Sequence, residues 1–291
     1  MKNFSDTEIR SLVSLLDDDD PNNLDLVQRQ ILYLGTPVIP FLEELRGRGA
    51  PELTARVDSL SRQLHFRGLR EDFHRLTASP RDPDLEDGAW LIARFGYSGL
   101  DPAVYRGWLD SLAGQVRRSL PSGAAAAQAF QHLNRQLFGA LGFSGNEKRY
   151  YDPDNSYLNR VIETRRGIPV SLSVLYLLVA KRLGLPVYGV ATPGHFLVGL
   201  RLGPGMSYLD AYGRGRIMSL IEVQRMLARN GYEFRPEFVA PASARDILIR
   251  MMRNLISIYQ KGGHTERAEM LSSLVEIMLT GKSARPPAAQ H

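Results

Sequence analysis

Cysteine is missing from the 291-residue chain altogether. Its absence excludes disulfides, thiolate metal sites and thiol nucleophiles together. Long apolar runs are missing too: the longest mostly apolar segment, 170–180, is about half of what a bilayer span needs. The chain opens on Met1-Lys2-Asn3 and an acidic helix, without an apolar signal core, which predicts a cytoplasmic protein with no membrane partner. Histidine is sparse. His65, His74, His132, His195, His264 and His291 are scattered, with no pair at metal-ligand spacing, so no metal and no cofactor are expected.

Concentrated charge is lacking as well. The net charge is +5 and the isoelectric point about 9.5, but the basic residues are dispersed as Arg117-Arg118, Arg165-Arg166, Arg214 and Arg216. A nucleic-acid binder usually shows a basic cluster interleaved with aromatics. A solvated, arginine-rich surface is the plainer reading, and nucleic acid is not an expected partner. The one acidic run, Asp17-Asp18-Asp19-Asp20, precedes Pro21 and lacks the Gly and Glu of a calcium loop. It reads as a solvated turn.

What is present divides into three folded parts and a tail. Over 1–76, Ser5 can cap a helix with Ile9, Leu12, Val13, Leu15 and Leu16 on one face. A helix closed by Gly35, then a Pro37-started helix, then a third over 51–64, resembles a short HEAT-type helical arm. The turn-rich stretch Ser79-Pro80-Arg81-Asp82-Pro83 marks a boundary. Helices follow over 85–95, from Pro102 through Val116, and over 124–141, with Trp90, Phe130 and Leu137 as core candidates. Asn155 or Ser156 can cap the helix 157–163. The helix 170–183 is apolar nearly all round and therefore buried. Gly184 and Pro186 stop it and lead into strands over 187–191, 195–201 and 206–212, the last two joined by a hairpin loop at 202–205. After a helix from Ser219, two antiparallel helices over 246–259 and 264–279 resemble one tetratricopeptide hairpin. The Pro- and Ala-rich tail is expected to be disordered. The domain reading is an arm over 1–76, a core over 85–240, a helical hairpin over 242–280 and a tail over 281–291.

The chemistry-bearing residues gather in the core. If Arg201 opposes Met206 across the hairpin, Leu197 opposes Asp210, and His195 stands diagonal to Asp210 on the same face. Diagonal neighbours are about 7–8 Å apart, within reach of a ring and a carboxylate. Such a pair either orients an imidazole for acid–base work or only ties two strands together. Spacing alone leaves both open.

The segments Tyr151-Asp152-Pro153-Asp154-Asn155-Ser156-Tyr157-Leu158, Arg166-Gly167-Ile168-Pro169-Val170-Ser171-Leu172-Ser173, Pro193-Gly194-His195-Phe196 and Leu209-Asp210 carry a family likeness. Over roughly 85–279 the chain resembles the transglutaminase-like superfamily, more narrowly its bacterial SirB-type branch. The resemblance implies a helix-rich α+β fold, a papain-like core in which a buried helix packs on a small antiparallel sheet. It also implies a Cys–His–Asp triad, with His195 and Asp210 at the last two positions.

The first position departs from the pattern. Anchoring on Gly167 and on Leu183-Gly184-Leu185-Pro186 places Pro169 where the family has its cysteine. The nearest hydroxyls are Ser171 and Ser173. At about 100° per residue, Ser171 is turned about 200° away from position 169, while Ser173 returns to that face about 6 Å deeper. Two functions follow as expectations. One is a non-catalytic, degenerate transglutaminase-like protein acting as a protein-interaction or regulatory scaffold, with another protein as its partner. The other is a hydrolase or acyltransferase using Ser171 with His195 and Asp210.

Overall fold

Caps and stops in the sequence account for most helix limits. The computed structural model describes residues 4–18, 20–46, 50–201 and 205–281. These fall into two compact units, Met1–Arg75 and Leu76–His291. In the first, Ser5 opens α1 (Asp6–Ser14): its Oγ accepts from the Glu8 N–H, and the Glu8 carboxylate accepts from the Ser5 N–H. Asp20 caps α2 (Pro21–Leu34), and a 3-10 turn leads into α3 (Ile39–Arg46) and then α4 (Pro51–Thr77). Ile9, Val13, Leu16, Val27, Ile31, Val38, Leu42, Val57 and Leu64 interlock as its core. In the acidic turn, Asp18 and Asp20 accept backbone N–H bonds, which is ordinary turn chemistry; Asp19 lies outside the described residues. The helix expected over 51–64 continues to Thr77, because Leu69 and Phe73 extend its buried row.

The second unit contains α5 (Leu85–Gly96), α6 (Pro102–Ser119), α7 (Ala126–Asn134), β1 (Ser144–Gly145), α8 (Leu158–Thr164), β2 (Arg166–Gly167) and α9 (Pro169–Arg182). Then come β3 (Val187–Val190), β4 (Leu197–Arg201), β5 (Met206–Asp210), β6 (Arg216–Met218), α10 (Leu220–Arg229), α11 (Ala244–Lys261) and α12 (Thr265–Thr280). The α7 helix gives way to a π-helical turn, Arg135–Ala140, which still buries Leu137. Gly184, at φ +70°, ends α9 as only a residue without Cβ does readily.

The architecture is the α+β arrangement the resemblance implies. α9 is buried over its first twelve residues and packs against β3 and β4. The sheet is antiparallel in the order β3-β4-β5-β6, with Arg201 opposite Met206 and Val198 opposite Leu209. Leu197, Tyr208 and Met218 cluster with Val223 and Leu227 of α10; by the period-two rule Val198, Leu200 and Leu209 lie on the other face, also buried. Two features go beyond the sequence reading. β6 adds a fourth strand after a turn with Arg214 and Gly215 at positive φ, and β1 pairs in parallel with β2. Such two- and three-residue strands are too short to show a period. The expected hairpin loop at 202–205 and the tail from 282 fall, apart from Gly205, outside the described residues.

Side chains join the helices at two buried points. Arg182, ending α9, grips Glu86 of α5 bidentately at 2.8 and 2.9 Å and reaches Asp110 of α6 at 2.5 Å. The hydroxyls of Tyr157 and Tyr259 meet at 2.6 Å, tying the start of α8 to α11. No helix among the described residues is long and apolar enough to cross a membrane.

The Glu86 side chain is 8% exposed, and deleting it leaves the Arg182 guanidinium with the exposed Asp110 as its remaining carboxylate. Glu86→Ala is expected to cost about 1.5–3 kcal/mol, the loss of hydrogen bonds to a charged group that keeps another partner. Arg216→Ala, in an exposed pair with Glu222, should cost less than about 1 kcal/mol. Urea unfolding followed by tryptophan fluorescence measures both, since Trp90 and Trp108, the two tryptophans of the chain, lie in the second unit.

Candidate functional site

The turn Thr192-Pro193-Gly194, with Gly194 at φ +71°, delivers His195 just ahead of β4. The ring is therefore in the connection and not in the strand, as the expected strand 195–201 would have had it. Asp210 is the last residue of β5, and a tight turn folds back over it, with Gly215 N–H donating to the Asp210 carbonyl at 2.8 Å. His195 Nε2 and Asp210 Oδ1 meet at 2.9 Å, with side-chain exposures of 16% and 18%.

Burial by itself would raise the Asp210 carboxyl. The hydrogen bond and charge of His195, with the Gly213 and Tyr212 backbone N–H groups, outweigh it and hold the group below its ordinary value. An ionised Asp210 accepts, so Nε2 carries the donated proton, and in the neutral ring Nδ1 keeps its lone pair. Among the described residues no hydrogen bond is made to Nδ1.

The serines lie elsewhere. Ser171 sits in the first turn of α9, fully buried, and its Oγ donates to the Asn155 carbonyl at 2.5 Å. The same oxygen accepts from the Ile168 N–H at 3.1 Å, half of a capping box. Ser171 is joined to backbone, and no hydrogen bond links it to His195. Ser173, one turn on from Pro169, reaches the Phe196 carbonyl at 3.5 Å, beside His195 in the chain, and makes no hydrogen bond to the His195 ring. Pro169 is the first residue of α9 and is buried.

Asn155 organises this region in a way the sequence reading missed. It was a candidate cap for the helix after it; instead Tyr157 occupies the cap position with no side-chain bond, and Ser156 Oγ is buried without a partner among the described residues. The Asn155 amide donates to the Arg149 and Tyr150 carbonyls and accepts from Asn146 Nδ2, while its own carbonyl receives both Ile168 N–H and Ser171 Oγ. A buried, fully engaged Asn in a polar loop is legible only once its partners are assembled.

Aromatic rings frame the pair. Tyr212 stands edge-on to His195, centroids 6.2 Å apart, and Tyr150 stands 6.2 Å beyond it, followed by Tyr151 at 5.3 Å. A Cβ on Gly145 would come within 2.4 Å of the Tyr212 ring, so only glycine lets β1 lie flush against it. The doublet Tyr150-Tyr151 was the available signal for this rim, but nothing local tied it to residue 212. No three His, Asp or Glu side chains among the described residues gather where they could hold a metal ion.

A family model described as transglutaminase-like superfamily matches residues 103–253. The UPF0162 protein of Xylella fastidiosa (strain 9a5c) is 39% identical over 190 residues, which cover 63% of this chain and 68% of that protein. UPF0162 protein PA3419 of Pseudomonas aeruginosa is 30% identical over 184 residues, 62% of this chain and 67% of its own. F-box only protein 21 of Homo sapiens is 30% identical over 163 residues, 53% of this chain but 25% of that longer protein. No solved structure matches.

The lowered Asp210 carboxyl has a consequence for stability. A group whose folded pKa is depressed stabilises the fold above its unfolded pKa, and that contribution is lost as pH falls through the folded value. Wild type should exceed Asp210→Asn in urea midpoint at pH 6, with the gap closing as pH drops below about 4. A gap that stays constant into that acid range would contradict the assignment.

Proposed function

The chain belongs to the transglutaminase-like superfamily, and we propose that it is a catalytically silent member that acts as a protein-interaction or regulatory scaffold. The observation that carries this is the commitment of Ser171 Oγ to the Asn155 carbonyl. Acyl transfer by a His–Asp pair needs an attacking atom within hydrogen-bond reach of the imidazole. Pro169, at the family's cysteine position, has neither a nucleophilic atom nor an N–H, and the chain has no cysteine to substitute for it.

Freeing Ser171 for attack would cost the helix its first-turn bond to Ile168 and the tie to Asn155. What remains at the site, an oriented imidazole with a rim of tyrosines, is suited to recognition. In this reading the helical parts, the HEAT-like arm and the tetratricopeptide-like pair α11–α12, present surfaces to another protein in the cytoplasm. The competing hydrolase reading has one feature in its favour, the intact His195–Asp210 bond.

Labelling with a fluorophosphonate probe separates the two. The scaffold reading expects no labelling of the full chain, and expects Ser171→Ala to act on stability alone, by about 1–2 kcal/mol for the lost capping bond. Labelling that disappears in both Ser171→Ala and His195→Ala would establish the hydrolase.

A further inference from the structure

α11 carries a row facing away from its core. Its buried side holds Leu248, Met251, Met252, Leu255 and Tyr259, whereas Arg250, Asn254, Ser257 and Lys261 are half-buried or exposed. Steps of four, three and four residues keep these last four within about 60° of one another around the helix. Arg250 and Lys261 mark the ends of the row, about 16 Å apart at 1.5 Å per residue. Neither forms an ion pair among the described residues.

The row borders the aromatic rim. Lys261 Nζ stands 4.1 Å from the centroid of the Tyr151 ring. Tyr150 feels both cations: burial raises its phenol, with Tyr151 adding to this, while the charges of Arg250 and Lys261 pull the other way. Tyr150 and Tyr151 are 38% and 58% exposed, high for paired rings of this size. From Tyr150 the strip continues through Tyr212 to His195.

We propose that this strip, Tyr150 and Tyr151 beside the Arg250–Lys261 row, docks an extended acidic segment of a partner protein. The inference rests on the scaffold reading and supplies the chemistry of its partner. An extended chain advances about 3.3 Å per residue with alternate side chains on one face, so two carboxylates four positions apart share a face about 13 Å apart and reach the two cations through their flexible side chains. A ring between them meets the edges of Tyr150 and Tyr151, and the polar Asn254 and Ser257 face the peptide backbone. Single-stranded nucleic acid fits less well. It presents a phosphate at every nucleotide, whereas the row is uncharged between its ends.

Fluorescence anisotropy on the full chain tests this with a fluorescein-labelled peptide bearing two glutamates four positions apart and a phenylalanine midway between them. Controls are the same peptide with lysines for glutamates, and a fluorescein-labelled oligothymidylate. The glutamate peptide should bind at least about tenfold more tightly than either control, and more weakly as salt rises. Arg250→Glu, Lys261→Glu and Tyr151→Ala should each weaken it about tenfold or more, with Arg118→Glu on α6 leaving it unchanged. No binding, equal binding of the lysine peptide, preference for oligothymidylate or indifference to the three variants would overturn the proposal. Failure here with the chain still unreactive to fluorophosphonate overturns the docking site alone. A bound peptide that is cleaved in a His195-dependent way overturns the non-catalytic reading and leaves the site standing.

Discussion

The backbone carbonyl of Asn155 accepts the Ile168 N–H at 3.2 Å and the Ser171 hydroxyl at 2.5 Å, and much of the core depends on where it stands. It fixes the entry to α9, the buried helix against which β3 and β4 pack. Through its side chain the same residue holds the Arg149 and Tyr150 carbonyls, and with them the tyrosines that frame His195. One asparagine thus sets both the start of the central helix and the rim of the site. It also occupies the proton of Ser171, the hydroxyl nearest in sequence to the family's nucleophile position. A buried donor surrendered from such a network costs about 1–3 kcal/mol, which keeps Ser171 where it is.

In the function proposed for this protein, orientation and attack have come apart. The His195–Asp210 bond needs a strand end, a tight turn closed on Asp210 and a positive-φ glycine ahead of the imidazole, and all three are in place. Attack needs a nucleophile opposite, and the first turn of α9 offers a proline and a serine bound to backbone. Fold and chemistry are separable in this way because a site is a small set of groups carried on a scaffold. The retained pair still has a role: desolvated and ionised, Asp210 ties the His195 turn to the end of β5.

Much of this was legible in the chain. Ser5 and Ser219 stand at helix starts as their types demand, and the Arg201–Met206 register follows from the hairpin's own spacing. Helix phase alone turned Ser171 away from position 169, and the structure shows what it turns toward. The rest depends on contacts between distant residues. Nothing near Gly145 announces that Tyr212 will lie on it, β6 is three residues long, and Asn155 looks like a helix cap until Arg149, Asn146 and Ser171 are brought around it.

In the proposed function Pro169 occupies the attacking position before an oriented His195–Asp210 pair. Because the chain has no cysteine, Pro169→Cys gives a protein whose only thiol reports on that position. The direct measurement is its alkylation rate by iodoacetamide near pH 6, where an ordinary thiol with pKa about 8.5 is almost wholly protonated. The account predicts fast alkylation that falls to the rate of a free thiol when His195→Ala is added. A rate like that of free cysteine, unchanged by removing His195, would contradict it.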